Sequence, residues 1–160
     1  AKDEKMGYKM MNARAETVDQ KASYKNSFIR RRCLIPASGF FEWKKVGEKK
    51  VPYYISVKDR EIISFAGIWD KWKNRDGSEI ISYTIITVDS NRVLSELHDR
   101  MPVILDREDE NDWLENPKKS LLRKLNSDRI NFYRISSKVN SPENNDPCIL
   151  DKAVTLDSFG

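Results

Sequence analysis

The sequence predicts an α+β fold, a single β-rich mixed domain with short helices at its periphery. Three observations lead there. Segments rich in β-branched and aromatic residues cluster between residues 33 and 88. Helix-like stretches lie outside that cluster, and no strand–helix–strand alternation runs along the chain as a parallel sheet would need. With 160 residues and no internal repeat or low-complexity linker, the chain reads as one domain able to bury a core without staples.

Taken in order, "NARAET", 12–17, puts Asn12, Arg14 and Glu16 at alternate positions. An extended segment would project all three one way; a capped loop entering a helix at Glu16 and Thr17 fits the same letters. "SYKNSFIRRR", 23–32, is predicted helical, with Ser23 as cap, Tyr24 and Phe28 on one face, and its cations at the C-terminal end, where the helix dipole favours them. "CLIPASGFFEWKKV", 33–46, predicts two short strands broken between Pro36 and Gly39. "VPYYISVK", 51–58, "IISFAGIWD", 62–70, and "IISYTIITV", 80–88, predict strands, with "NRDG", 74–77, as a hairpin turn between the last two. "SNRVLSEL", 90–97, predicts a short helix begun by a Ser or Asn cap. "DREDENDWLEN", 106–116, and "PKKSLLRKL", 117–125, are expected to be helical, the second with Pro in its first turn. "RINFYRIS", 129–136, is a last strand before an irregular tail.

Charge and cysteine content narrow the class. Net charge is +4, unevenly spread. The first fifty residues carry thirteen Lys and Arg against six Asp and Glu, and the remainder sixteen against nineteen. A basic first third is either a solvated face or the footprint of a phosphate backbone. Two cysteines, Cys33 and Cys148, fit a reducing compartment and are too few, with one histidine, for a structural zinc site. No stretch approaches the ~20 apolar residues of a membrane span, and no signal peptide opens the chain. A cytoplasmic protein is expected. No Gly-rich phosphate loop, CxxC pair or HExxH occurs, and no metal or other cofactor is expected.

Three side chains stand out as candidates for chemistry. In "GFFEWKK", 39–45, alternation places Phe41 and Trp43 on one side and Phe40, Glu42 and Lys44 on the other. A carboxylate among aromatics is expected to be partly desolvated, which suits it to proton transfer; an exposed Glu42 paired with Lys44 or Lys45 is the plainer alternative. The only histidine, His98 in "LHDRMPVIL", 97–105, is either a buried imidazole bonded to backbone or a cleft-edge acid–base group. Adjacent Asp99 and Arg100 sit badly in a core and favour the cleft. Asn12 and Arg14 offer an amide and a rigid guanidinium fork, a pairing suited to sugar and phosphate. Cys33 follows three arginines, which would lower a thiol's pKa, yet Leu34 and Ile35 beside it point to a buried, inert group.

Together, "NARAET", "RRCLIPASGFFEWKK", "FAGIWDKW", "YTIIT", "LHDRMPVIL" and "SSKVNSPENNDP" resemble, along nearly the whole chain, the SRAP family (SOS response-associated peptidase) of abasic-site processing proteins. The resemblance implies a positively charged groove for single-stranded DNA. It also implies an N-terminal cysteine whose amine and thiol close a thiazolidine on the ring-opened aldehyde of an abasic site. Carried onto this sequence, the resemblance makes Asn12 the hydrogen-bonding partner of the opened sugar. Glu42 becomes the group handling protons during imine formation and ring closure, and His98 the group that holds and protonates the sugar hydroxyl. Arg14 and Arg100 match residues that grip phosphates or line the groove. Family members begin Met-Cys-Gly-Arg and run further before the Asn motif, whereas this chain opens with Ala1, eleven residues ahead of Asn12. The domain over 1–160 is therefore expected to be N-terminally incomplete and, as written, unable to crosslink. Cys33 and Cys148 cannot substitute, since a thiazolidine needs amine and thiol on one residue. A monomer at the nucleoid is expected, acting on single-stranded DNA that contains abasic sites, with no membrane partner. Two other readings remain open: a non-covalent nucleic-acid-binding module, and a cysteine-type peptidase using Cys33 or Cys148 with His98.

Overall fold

Most strand-like segments pair as their patterns predict. The computed structural model describes residues 11–73 and 76–153. Its elements run β1 (Asn12–Arg14), α1 (Lys25–Arg30), β2 (Arg32–Ala37), β3 (Phe40–Val46), β4 (Lys49–Val57), β5 (Ile63–Lys73) and β6 (Glu79–Asp89). After these come β7 (Arg100–Pro102), β8 (Ile104–Leu105), α2 (Arg107–Glu115) and β9 (Ile130–Arg134). The result is the α+β architecture that the sequence predicts. One sheet has the order β1-β6-β5-β2 and the other β3-β4-β9. No helix among the described residues is long and apolar enough to cross a membrane.

The longest strands, β5 and β6, pair antiparallel from Gly67 opposite Ile85 to Lys73 opposite Glu79. Beyond Gly67 they separate, and residues 100–105 fill the gap. β7 pairs with β6, β8 pairs with β5, and Val103 between them donates to the Ile86 carbonyl and accepts from the Ala66 N–H. This insertion explains the apolar run that follows His98. Met101, Val103, Ile104 and Leu105 are each at most 4% exposed, because they lie inside a sheet that is itself covered.

Both faces of the first half of β5 are buried: Ile63, Ser64, Phe65, Ala66 and Ile68 are all below 9% exposure. Phe65 meets Phe40 of the second sheet edge-on, with ring centroids 5.8 Å apart, and Ile55, Val57 and Ile130 of that sheet join the same core. α1 packs on β2 and β5, and α2 packs on β2. Phe28 of α1 touches the fully buried Trp113 of α2 at 6.0 Å. Truncating such a tryptophan typically costs about 3–5 kcal/mol.

Arg32 ties the two helices together. Its guanidinium donates to the carbonyls of Phe28 and Ile29 near the end of α1, and to those of Trp113 and Leu114 in α2. These are the carbonyls that a helix end leaves without N–H partners. Arg31 pairs with Asp70 and lies over the Trp69 ring. Two of the three consecutive arginines are thus engaged inside the fold. Burial pushes the Cys33 thiol up rather than down, so the activating effect of those cations on Cys33 does not materialise.

Three local expectations need correction, and one pair of alternatives is decided. Ser23 does not cap α1: the helix begins after Tyr24 with no side-chain cap, and its entry is built from Tyr24 and Lys25 N–H groups bonding the Lys21 carbonyl. Residues 90–97 form only a single 3₁₀ turn at Leu94–Glu96, though the Asn cap is real, with Asn91 accepting from the Leu94 N–H at 3.0 Å. Residues 117–125 also reduce to one 3₁₀ turn, Lys119–Leu121. There Leu121, Leu122 and Leu125 all bury, and the Leu125 carbonyl accepts from the buried Asn91 amide at 3.0 Å, so tertiary contacts override helix propensity. "NARAET" enters no helix: its first three residues are β1 and a turn follows. The expected turn at 74–77 lies partly outside the described residues, of which Gly77 takes φ +89°.

Candidate active site

β1 runs parallel to β6, with Asn12 opposite Ile85 and Arg14 opposite Thr87. Ala13 and Ala15 are buried, so alternation turns Asn12, Arg14 and Glu16 outward. The small alanines let the strand lie close on the core while its polar residues form an edge.

Glu42 is placed by its strand. Gly39 lets β3 start hard against β4, since a Cβ there would stand 2.3 Å from the Ile55 carbonyl oxygen. Phe40 then anchors in the core against Phe65. Two residues on, the same face of β3 carries Glu42. The expected ion pair with a neighbouring lysine is absent: Lys44 reaches Glu96 at 4.0 Å, and Glu42 has no salt bridge among the described residues.

His98 is held at the mouth of the inserted segment. Its N–H bonds the Leu94 carbonyl at 3.0 Å, closing the 3₁₀ turn, and the Asp99 carbonyl accepts from the Ser90 N–H at 2.9 Å. Nδ1 accepts from the Arg100 N–H at 3.0 Å, which puts the proton of the neutral ring on Nε2. When the ring is protonated, the Arg100 carbonyl at 3.2 Å and an Asp99 carboxylate oxygen at 3.1 Å can both accept from Nδ1. Both protonation states therefore find partners, and Nε2 has no partner among the described residues.

These segments enclose a cavity of about 220 Å³ whose polar wall is Asn12, Glu42, His98 and Arg100. Phe40, Phe65, Met101 and Pro102 supply apolar wall. Burial in these surroundings raises the Glu42 carboxyl above its ordinary value; the His98 charge opposes the rise and Asp99 adds to it. A carboxyl with a raised pKa beside an imidazole is an arrangement suited to moving protons in both directions.

Arg14 is exposed on the β1 edge and does not line the cavity. Arg100 lines it, but its side chain is only 15% exposed and its guanidinium is gripped from within. It makes a two-pronged pair with Glu16, both contacts at 2.9 Å, pairs with Asp89, and donates to the Thr87 carbonyl at 2.6 Å. The Arg100 guanidinium in turn holds the Glu16 carboxyl below its usual value. Glu16 and Asp89 were not picked out as its partners by sequence reasoning. Glu16 lies 84 residues from Arg100, and no local pattern links them. Neither cysteine lines this cavity; Cys148 is exposed and hydrogen bonding with Asp146 raises its thiol. Among the described residues, no group of three His, Cys, Asp or Glu is placed to hold a metal ion.

Comparison with known proteins bears on this geometry. A family model described as SOS response associated peptidase (SRAP) matches residues 1–142. The chain belongs to the SRAP family. Among SRAP relatives, the abasic site processing protein YoqW of Bacillus subtilis is 45% identical over 159 residues, covering 94% of this chain and 70% of the relative. The abasic site processing protein HMCES of Xenopus tropicalis is 36% identical, over 89% of this chain and 50% of its own length. A crystal structure of a Bacteroides thetaiotaomicron protein superposes with a TM-score of 0.88 at 35% identity, covering 96% of this chain and 72% of that one. Three of the stretches quoted above, those carrying Asn12, Glu42 and His98 with Arg100, supply that polar wall.

Proposed function

We propose that this SRAP chain processes abasic sites in single-stranded DNA, holding the baseless sugar in the cavity between β1, β3 and the His98 turn. One observation carries the reading: Asn12, Glu42 and His98, from three segments far apart in sequence, line one cavity of about 220 Å³. A baseless sugar offers hydroxyls and a masked aldehyde, and needs an amide to hold it and two proton-transfer groups to open it. Asn12 hydrogen-bonds the sugar. The imidazolium form of His98, its Nδ1–H held by the Arg100 carbonyl, gives its Nε2 proton to the ring oxygen. The Glu42 carboxylate takes the proton of the C1′ hydroxyl, and C1′ becomes an aldehyde.

Where the protein carries the N-terminal cysteine that the family resemblance implies, its amine adds to C1′ and the resulting carbinolamine loses water to give an imine. The cysteine sulfur then adds to the same carbon while its proton passes to nitrogen. The ring that closes is a thiazolidine, with one water released overall. Glu42, whose carboxyl is raised above its ordinary value by burial, acts as acid for the departing hydroxyl and as base for the thiol. Peptidase chemistry at Cys33 finds no support, since burial raises that thiol and His98 lines a different place.

The test is a denaturing gel of protein mixed with single-stranded DNA carrying one abasic site. A protein beginning with cysteine ahead of these residues is expected to give a heat-stable shifted band that is lost on Cys→Ala at that position. No covalent band from the cysteine-led protein would leave a non-covalent nucleic-acid-binding module as the better reading.

A further inference from the structure

Residues 90–99 join β6 to β7 and carry His98 near their end. The neck of this loop is shut where the Ser90 N–H bonds the Asp99 carbonyl at 2.9 Å. Inside the loop, one buried side chain makes two bonds in opposite directions. Asn91, 6% exposed, accepts from the Leu94 N–H with its Oδ1 and donates its amide N–H to the Leu125 carbonyl, both at 3.0 Å. Its own carbonyl accepts from the Ser95 N–H at 2.9 Å. Leu94, so fixed, offers its carbonyl to the His98 N–H at 3.0 Å. The route from Leu125 to the imidazole therefore runs through one side chain and one residue of the 3₁₀ turn.

A short amide suits both bonds, because it carries an acceptor oxygen and an NH₂ donor on one plane. An Asp carboxylate has acceptors alone, and a Ser hydroxyl stands closer to the backbone. Either would still cap the turn as well as Asn does, so capping by itself does not account for the amide. Its second bond crosses 34 residues of sequence, to a segment that gives up its helix and buries Leu121, Leu122 and Leu125. The adjacent Lys124 ammonium donates to the Ser90 carbonyl at 3.3 Å, so two successive residues hold the neck of the loop. Asn91 does not line the cavity. Whatever it does there, it does through His98.

We propose that Asn91 is a positioning residue for His98. By tying the loop to Leu125 it sets where the imidazole stands and keeps Nδ1 against the Arg100 N–H, which leaves Nε2 as the proton-bearing nitrogen of the neutral ring. With the tie cut, the turn swings on its neck, the Nδ1 contact loosens, and the ring loses its preference for one tautomer. The consequence for the reaction rests on the function argued above; the consequence for the ring does not.

The test compares Asn91→Ser and Asn91→Asp with the parent, in full-length protein carrying isotope-labelled histidine and read by nitrogen NMR. His98→Gln identifies the His98 signals. At a pH where the ring is neutral, the parent is expected to show Nδ1 as the bare nitrogen and Nε2 as the protonated one. In the variants the two nitrogen shifts are expected to move toward each other as the tautomers mix. Covalent capture of abasic single-stranded DNA, measured at saturating DNA and per folded molecule, is expected to slow by up to about 10²-fold, the cost of a misplacement of about 1 Å. Affinity for intact DNA should stay nearly unchanged. Parental shifts, or a parental rate of capture, in the variants that fold overturn the positioning role and leave the proposed function standing. Converging shifts in variants of a parent that captures no abasic DNA uphold the hold of Asn91 on the ring and overturn the proposed function instead.

Discussion

At the scale of single residues, Glu42 shows how a site taxes the fold that holds it. Its carboxyl is raised by burial, so the folded state binds that proton more tightly than the unfolded chain does. Its contribution to stability is therefore complete below the ordinary carboxylate range and is lost as pH rises through the raised value. Glu42→Gln should accordingly be more stable than the parent at neutral pH, with the gain disappearing near pH 4, as denaturant midpoints at the two pH values would show. The same variant is expected to slow crosslinking by about 10²–10⁴-fold, the usual worth of a general acid–base group, while binding to intact DNA stays nearly unchanged. Collapsed binding with normal reactivity per bound molecule would make Glu42 structural. The likelihood of desolvation was readable from the aromatics around it in "GFFEWKK"; that no lysine would come to neutralise it was not, because Lys44 turns to Glu96 on another element.

At the scale of elements, β3 is the piece whose placement matters most, and Gly39 sets it. Gly39→Ala would drive a Cβ to 2.3 Å from a backbone oxygen of β4, which cannot swing aside as a side chain end can. We expect a loss of about 1–3 kcal/mol, typical of overpacking, together with reduced crosslinking beyond what the lost folded fraction explains. A melt combined with a crosslinking rate corrected for folded protein would separate the two. Strands such as β4, β5 and β6 were legible because β-branched and aromatic runs bounded by turn residues report local preference directly. The 117–125 segment was not. Its letters favour helix, but three buried leucines and the tie between Leu125 and Asn91 are tertiary facts. The reduced turn at 90–97 follows the same logic, with Asn91 serving as cap and cross-link together.

Across the whole molecule, the basic first third divides into engaged and free charge. Arg31 and Arg32 are committed to Asp70 and to the helix ends; outside that third, Arg100 is likewise committed to Glu16 and Asp89. Arg14 remains exposed on the β1 edge, with no ion pair among the described residues. Arg14→Ala is expected to weaken single-stranded DNA binding for all sequences and to reduce the salt slope by about one; an unaltered slope would remove Arg14 from the phosphate contacts. Net charge could be counted from the sequence, but not this division of it. The pairings that decide it join residues 81 and 84 positions apart, a distance over which composition and spacing are silent.

The segment carrying His98 continues directly into residues that plug the opening between β5 and β6. The plug pairs with both walls at once, so the position of the imidazole is tied to the closure of the sheet. Damage anywhere along Met101–Leu105 would unseat the imidazole and unseal the interior at one stroke.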